Sequence, residues 1–425
     1  MIFSDEVWLI ILENLSIPEL VKLRLVSHCF KELAEYVLKR HPGWEDLAKK
    51  NMQIEWLEDV MVKACPYDLI SHQNEIHDPA LWRKTYLSYI NWQKILVKAD
   101  VTFNKVPPSN FGYIVYTTTF DKYLLLVFGN NVIEIYTFVD DDPFRLLFKF
   151  QMNNYVPQAE FWQSNGDLLV VFQDRDSNLT FWDINKKIKI TNNGCSSTRI
   201  SRNGCRDFCI GENNGIITSF ERDGNIISPG QSINLKLTED QEVLIHTVHT
   251  NYLSILVYVH NAVILYNYKV MINNGMVAGF QFIDTTGPMR LIHPLNKWAN
   301  FTILNTDYLY VTNDFNGFAT NYHLEDHDLI HFYTPSRWGN VMSAAMHAHL
   351  VILGCQNGSI RLFSIEDTSE MMALYGDPAN ILYSRNIRTI KASNRPIFYL
   401  NFWEFEDKIF IVAVTDESIR LIKFV

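Results

Sequence analysis

"HLVILGCQNGSIRLFSIED", residues 349–367, decides how most of this chain folds. An apolar run is followed by the polar turn Gln-Asn-Gly and then by a second run that alternates apolar and polar residues. That is the pattern of two antiparallel strands, with Gly358 supplying the positive φ of a tight turn. A lone hairpin is marginal in water, so this one needs neighbours of its own kind. Clear copies are "DLLVVFQDRDSNLTFWDIN" (167–185), "RDFCIGENNGIITSFERD" (206–223) and "KIFIVAVTDESIRLIKFV" (408–425). Looser copies lie at 123–140, 252–270 and 308–326, and Gly215 and Gly317 take the same turn role as Gly358.

These are about seven hairpins spaced roughly 37 to 60 residues apart, a propeller period. Each is preceded by another strand-like segment, such as 158–164 or 396–405. Most are followed by a fourth, such as 144–152 or 328–334. Four strands per repeat predict an all-β propeller of seven blades over residues 95–425. The last copy ends at Val425, after its third strand. "ILVKADVTF" (95–103) alternates, and we expect it to complete that last blade and remove the open edges. The hairpins resemble the two middle strands of a WD repeat. The namesake dipeptide stands once, as Trp182-Asp183, and the usual Gly-His pair is absent, so the resemblance is to a divergent WD-type propeller.

The chain opens differently. In "IFSDEVWLIILENLSIPELVKLRLVSHCFKELA" (2–34) the apolar period is helical. Ser4 is placed to cap a first helix, with Asp5 and Glu6 near the positive end of its dipole. Ser16 and Glu19 have capping-box spacing, and Pro18 falls in the first turn of a second helix. Leu20, Leu23, Val26, Phe30, Leu33 and Val37 recur three or four apart, and Ser27 is placed to cap a third helix. Three short helices cannot hide this many apolar residues among themselves, so one face is expected to be covered by something else.

This stretch resembles an F-box, whose usual form is L-P-x-E, I-L-x-x-L, L-x-x-L-x-x-V, then an aromatic residue and Leu. Register is kept without a gap from Phe3 to Leu33, with Phe3 for the usual Leu and Ser4 for the usual Pro. "DPALWRKTYLSY" (78–89) resembles the D-x-x-L-W-[KR] segment that closes such regions, delayed by the helix-like insert 43–65. The organisation read this way is an F-box at 1–40, a helical linker at 41–94 and a WD-like propeller at 95–425, a small all-α part before an all-β one. The resemblance implies adaptor contacts through Phe3, Ile11, Leu12, Leu15, Leu20, Leu23, Val26 and Phe30. Some of these must build the module's own core.

Composition narrows the functions. With 48% hydrophobic residues, a sizeable core is within reach. A net charge of −10 argues against a nucleic-acid binder. Six cysteines in 425 residues make no disulfide framework, and the close group Cys195, Cys205 and Cys209 lacks C-x-x-C spacing. We expect buried thiols, no metal, no cofactor, and a cytoplasmic or nuclear location. No targeting segment stands out, and the most apolar window, 252–266, is too short to span a bilayer. Catalytic motifs such as G-x-S-x-G, Walker loops, G-x-G-x-x-G and H-E-x-x-H are absent from the sequence. His323, His327 and His331 have helical spacing in a strand context, where solvated loop histidines are expected.

Two basic clusters remain, Arg199, Arg202 and Arg206, and Arg385, Arg388, Lys391 and Arg395. Guanidinium forks match phosphate or carboxylate, so either cluster could receive an acidic segment of a target. The alternative is solvated loop charges paired with nearby carboxylates. An F-box before a WD-like propeller resembles the substrate receptors of SCF ubiquitin ligases. That resemblance implies a non-catalytic subunit that binds a Skp-type adaptor, through it a cullin, and a target protein on the propeller. The alternatives are a non-ligase scaffold and a propeller enzyme.

Overall fold

A computed structural model describes residues 4–52, 56–57, 60–61, 64–65, 78–97, 101–106, 112–139, 142–164, 166–201, 209–249, 252–259, 262–273, 276–283, 289–291, 300–303, 308–312, 317–320, 330–333, 340–364, 387–405, 408–416 and 418–424. Of 101–106, 142–144 and the described residues between 289 and 333, among others, only the backbone is described. The chain divides into two compact units, residues 1–94 and 95–425.

Among the described residues the first unit has five helices, α1 (Asp5–Leu12), α2 (Ile17–Leu23), α3 (His28–Leu38), α4 (Trp44–Asn51) and α5 (Pro79–Lys94). The caps follow the local chemistry. Ser4 is the N-cap of α1. The Ser16 amide donates to Glu19 Oε2 at 2.8 Å, and Ser27 Oγ accepts from the Phe30 amide at 3.2 Å. Leu12, Ile17, Leu20, Ala34, Val37 and Leu38 are buried. His41 Nδ1 accepts from the Gly43 amide, so its Nε2 carries the proton and donates to the Leu15 carbonyl at 3.0 Å.

The second unit is the all-β propeller expected from the repeating hairpins. Among the described residues seven antiparallel groups follow one another, at 114–151, 158–192, 199–234, 242–291, 300–333, 341–391 and 399–424, each of four strands except that Met289–Leu291 adds a fifth to the fourth group and the last takes its fourth strand from elsewhere in the chain. We number them blades 1 to 7. Innermost strands touch in order from blade 4 to blade 7, then blades 1, 2 and 3. Blades 3 and 4 meet through Ile216–Asp223, Ile226–Asn234 and Met276–Phe282, so the ring closes. The fourth strand of blade 7 is Val101–Val106, which pairs antiparallel with Ile419–Phe424. It starts six residues later than the expected segment, because α5 runs to Lys94 and a turn occupies 95–97.

Wall-to-wall apolar strands such as Tyr123–Phe128 are explained by where their two faces go. Leu124, Leu126 and Phe128 pack with Phe410, Val412 and Leu421 of blade 7. Leu125 and Val127 pack with Phe161 and Val170 of blade 2. A middle strand buried on both faces has no polar side to show. Similar cores join blades 2 and 3 through Trp162, Phe181, Cys209 and Phe220, and blades 3 and 4 through Ile210, Ile217, Val248 and Leu253. Gly215 and Gly358 both have φ near +78°, as a tight turn requires. A Cβ on Gly358 would also lie 2.2 Å from the Ser393 carbonyl oxygen, so no other residue fits there.

Blades 2 and 3 are tied together twice. Their outer strands pair in parallel at Thr191–Ile226 and Asn192–Ile227, giving one eight-stranded sheet. The second tie is an ion cluster centred on the buried Asp183, the acid of the Trp-Asp dipeptide. Asp183 is fully buried and accepts from the Lys186 amide at 2.9 Å. Its Oδ2 also lies 3.3 Å from Arg222 Nη2 of blade 3. Arg222 Nη2 reaches Asp167 Oδ2 at 3.0 Å, and Lys186 Nζ bonds the same carboxylate.

We expect the stability of this unit to fall in acid, for two reasons. Burial raises the Asp167 carboxyl, but the Lys186 hydrogen bond and the Arg222 charge outweigh it and hold the group below its usual range. That contribution is present above the unfolded value and is lost as pH falls through the folded one. Burial pushes the His349 imidazole down to about 4 from 6.5, so the fold holds it neutral. The unfolded chain therefore binds the extra proton between these values, and stability declines as pH drops from 6.5 toward 4. The His349 share is up to about 3 kcal/mol. Urea melts from pH 7.5 to 4.5 should show this decline, and His349→Gln should flatten it.

Candidate functional site

The F-box-like module carries the feature that needs a partner. Of the residues expected to face an adaptor, Leu12 and Leu20 are 1% and 0% exposed and build the module's core. Leu15, Leu23 and Phe30 are half-buried, with Phe30 edge-on to Trp8 at 4.9 Å between ring centroids. Ile11 and Val26 are exposed, and Phe3 lies outside the described residues.

Three of the exposed apolar side chains, Ile10, Val21 and Leu25, are ones that the periodic reading did not single out. Leu25 is 87% exposed and Ile10 64%, with Val7 and Val21 also at the surface. Val21 and Leu25 lie four apart on α2 and just beyond it, one position over from the buried stripe through Leu20. That second stripe was the available signal. Singly exposed apolar residues are ordinary, but seven within the first 36 residues, counting Tyr36, exceed that.

Charged and apolar contacts join α3 to the rest of the module. Glu35 of α3 pairs with Arg24 Nε at 2.7 Å and with Arg83 Nη2 of α5 at 2.8 Å. Leu81 and Trp82, also of the D-x-x-L-W-R segment, are buried. Trp44 Nε1 donates to the Leu38 carbonyl at 2.6 Å and anchors α4 at the end of α3. The 78–89 segment thus closes the module through a charge and two apolar anchors.

The basic clusters sit far apart on the propeller. Arg199 opens the short innermost strand of blade 3, where it donates to the Val243 carbonyl and lies 3.7 Å from Glu242. Arg388 and Lys391 bound the outer strand of blade 6. The Arg388 guanidinium donates to the Ile95 carbonyl and stands 5.2 Å over the Phe424 ring, so it fastens the closing blade. Lys391 Nζ donates to the Asn357 carbonyl, and the exposed Arg395 follows in the turn toward blade 7. Arg202, Arg206 and Arg385 lie outside the described residues. Arg199 and Arg388 thus have structural engagements within the chain.

Other candidates give no further site. Cys195 and Cys209 are buried in the core between blades 2 and 3, and Cys205 lies outside the described residues, as do His323 and His327. Among the described residues no group of three or more His, Cys, Asp or Glu is placed to hold a metal ion. No described helix is long and apolar enough to cross a membrane.

Residues 2–41 match the F-box domain family. This stretch, which holds α1 to α3, is an F-box domain, and F-box domains in general bind Skp-type adaptors. Among curated proteins none matches the chain. Among solved structures the chain is similar to the computationally designed Ika8 protein, at 10% identity and a TM-score of 0.42. That similarity covers 76% of this chain and 99% of the designed one, and it is too distant to bear on function.

Proposed function

We propose that this protein is the substrate-recognition subunit of an SCF-type ubiquitin ligase. The F-box domain docks a Skp-type adaptor, through it a cullin, while the divergent WD-type propeller holds a target protein. What supports this reading most is an F-box whose apolar side chains at Ile10, Ile11, Leu25 and Val26 remain uncovered, in a chain that continues into a propeller. The chemistry is proximity: target lysines are held near the charged conjugating enzyme, and this chain supplies no catalytic group. A cytoplasmic or nuclear location goes with this role. On the propeller, the cluster of Arg385, Arg388, Lys391 and Arg395 is the surface we assign to an acidic target segment, and Arg395 in it is exposed. Arg395→Glu is the cleaner charge reversal there, since Arg388→Glu would also break the contacts to Ile95 and Phe424.

A second reading is a scaffold that binds the adaptor without a cullin. Ser4 stands where the usual proline helps adaptor docking, so a weaker adaptor contact is expected in either reading. Affinity purification of the full chain separates the two. Adaptor with cullin supports the ligase, adaptor alone the scaffold, and neither would overturn both. Proteasome inhibition should then raise the amount of any bound target if the ligase reading holds.

A further inference from the structure

Ser27 lies in the turn between α2 and α3, directly after the exposed Leu25 and Val26. It is itself exposed, and its Oγ accepts from the Phe30 amide. Arg24 stands three residues before it and Lys22 five before. Basophilic protein kinases read that arrangement, because acidic pockets beside their active sites pair with guanidinium and ammonium groups. Ser16 and Ser4 differ. The Ser16 hydroxyl is tied to Glu19 at 2.6 Å, and neither serine has a basic residue in the three positions before it.

We propose that Ser27 is a phosphorylation site that switches off the apolar face beside it, a proposal that rests on the adaptor-docking reading above. The Ser27 Oγ attacks the γ-phosphorus of ATP, supplied by a basophilic kinase. An Oγ–P bond forms, the bond from the γ-phosphorus to the bridging oxygen breaks, and ADP leaves with the electron pair. The hydroxyl proton passes to the kinase's base. To present Arg24, the kinase must displace its pairing with Glu35, a partly exposed contact worth little at a surface.

The phosphate acts differently on the fold and on docking. At the start of the eleven-residue α3 a dianion meets the positive end of the helix dipole, with Lys31 four residues on, so the helix is kept. Docking must strip water from the neighbourhood of Leu25 and Val26, and a dianion there resists it. A modification that leaves the fold intact and weakens the interface is a switch.

The test uses the full chain with phosphoserine installed at Ser27, beside the unmodified chain and Ser27→Asn, which keeps a neutral cap. Binding of each to purified Skp-type adaptor is measured by calorimetry. The phosphorylated chain should bind at least about tenfold more weakly, and Ser27→Asn within about threefold of the unmodified chain. The melting temperature of the phosphorylated chain should not fall. Equal affinity of the phosphorylated and unmodified chains would overturn this proposal alone. Weak binding with a lowered melting temperature would also overturn it, since the effect would then be on the fold. Failure of the unmodified chain to bind would overturn the docking reading and this proposal with it. Mass spectrometry after treatment with ATP and a basophilic kinase should place phosphate on Ser27, and its absence there would contradict the kinase class.

Discussion

Removal of residues 418–425 should leave no cooperatively folded propeller. The strand Ile419–Phe424 pairs on one side with Lys408–Val414 and on the other with Val101–Val106. Its loss frees two ladders at once and opens the ring between blades 7 and 1. Ile419, Leu421, Ile422 and Phe424 are all buried, and each such side chain contributes about 1.5–3 kcal/mol. Their sum is comparable to the whole stability of an ordinary domain, about 5–15 kcal/mol. Circular dichroism should show no sharp thermal transition of the β signal, and size exclusion should show an expanded species. A truncated chain that melted at the full-length temperature would refute the closure.

The next largest effect belongs to the ion cluster between blades 2 and 3. Asp183→Ala leaves the Arg222 guanidinium, 3% exposed, with only the partly exposed Asp167 and carbonyl groups as partners. Breaking a buried pair by removing one member costs about 3–5 kcal/mol, and the Lys186 amide also loses its acceptor. Replacing both partners by apolar residues of similar volume removes the stranded charge. The pair Asp183→Leu with Arg222→Met should therefore be more stable than Asp183→Ala alone. Urea unfolding of the wild type and the two variants measures this directly. Equal loss in the single and double variants would mean that the turn at Lys186 matters and the charge pair does not.

The architecture was legible because it is built from local signals. Strand alternation, Gly turns at 215 and 358 and the switch of period after the helices are all written within a few residues. What stayed hidden is non-local. No local pattern distinguishes the parallel pairing of Ile226–Ile227 with Thr191–Asn192 from two free outer strands. The closing strand shifted from 95–103 to 101–106 because apolar residues after a helix alternate well enough to pass for a strand.

The same limit governs the sites. Leu20 and Leu25 are equally apolar, yet one is 0% and the other 87% exposed. Periodicity marks that a helix has an apolar stripe, and only packing says which of two adjacent stripes is covered. Arg388 reads in sequence as one of four loop cations. Its contacts to Ile95 and Phe424 join residues nearly three hundred and about forty positions away. Substitutions at the buried Leu20 would test folding. Those at the exposed Ile10 and Leu25 test docking.

On the proposed reading, this F-box domain binds a Skp-type adaptor through its uncovered apolar face. Calorimetric titration of purified adaptor into the full chain, and into the Ile10→Asp, Leu25→Asp double variant, measures it. Two carboxylates on surface positions should each change stability by no more than about 0.5 kcal/mol, so the melting temperature should stay within a few degrees of the wild type. Affinity should fall by at least about a hundredfold, roughly 2.7 kcal/mol. Equal affinity of wild type and variant, or no binding by the wild type, would contradict it.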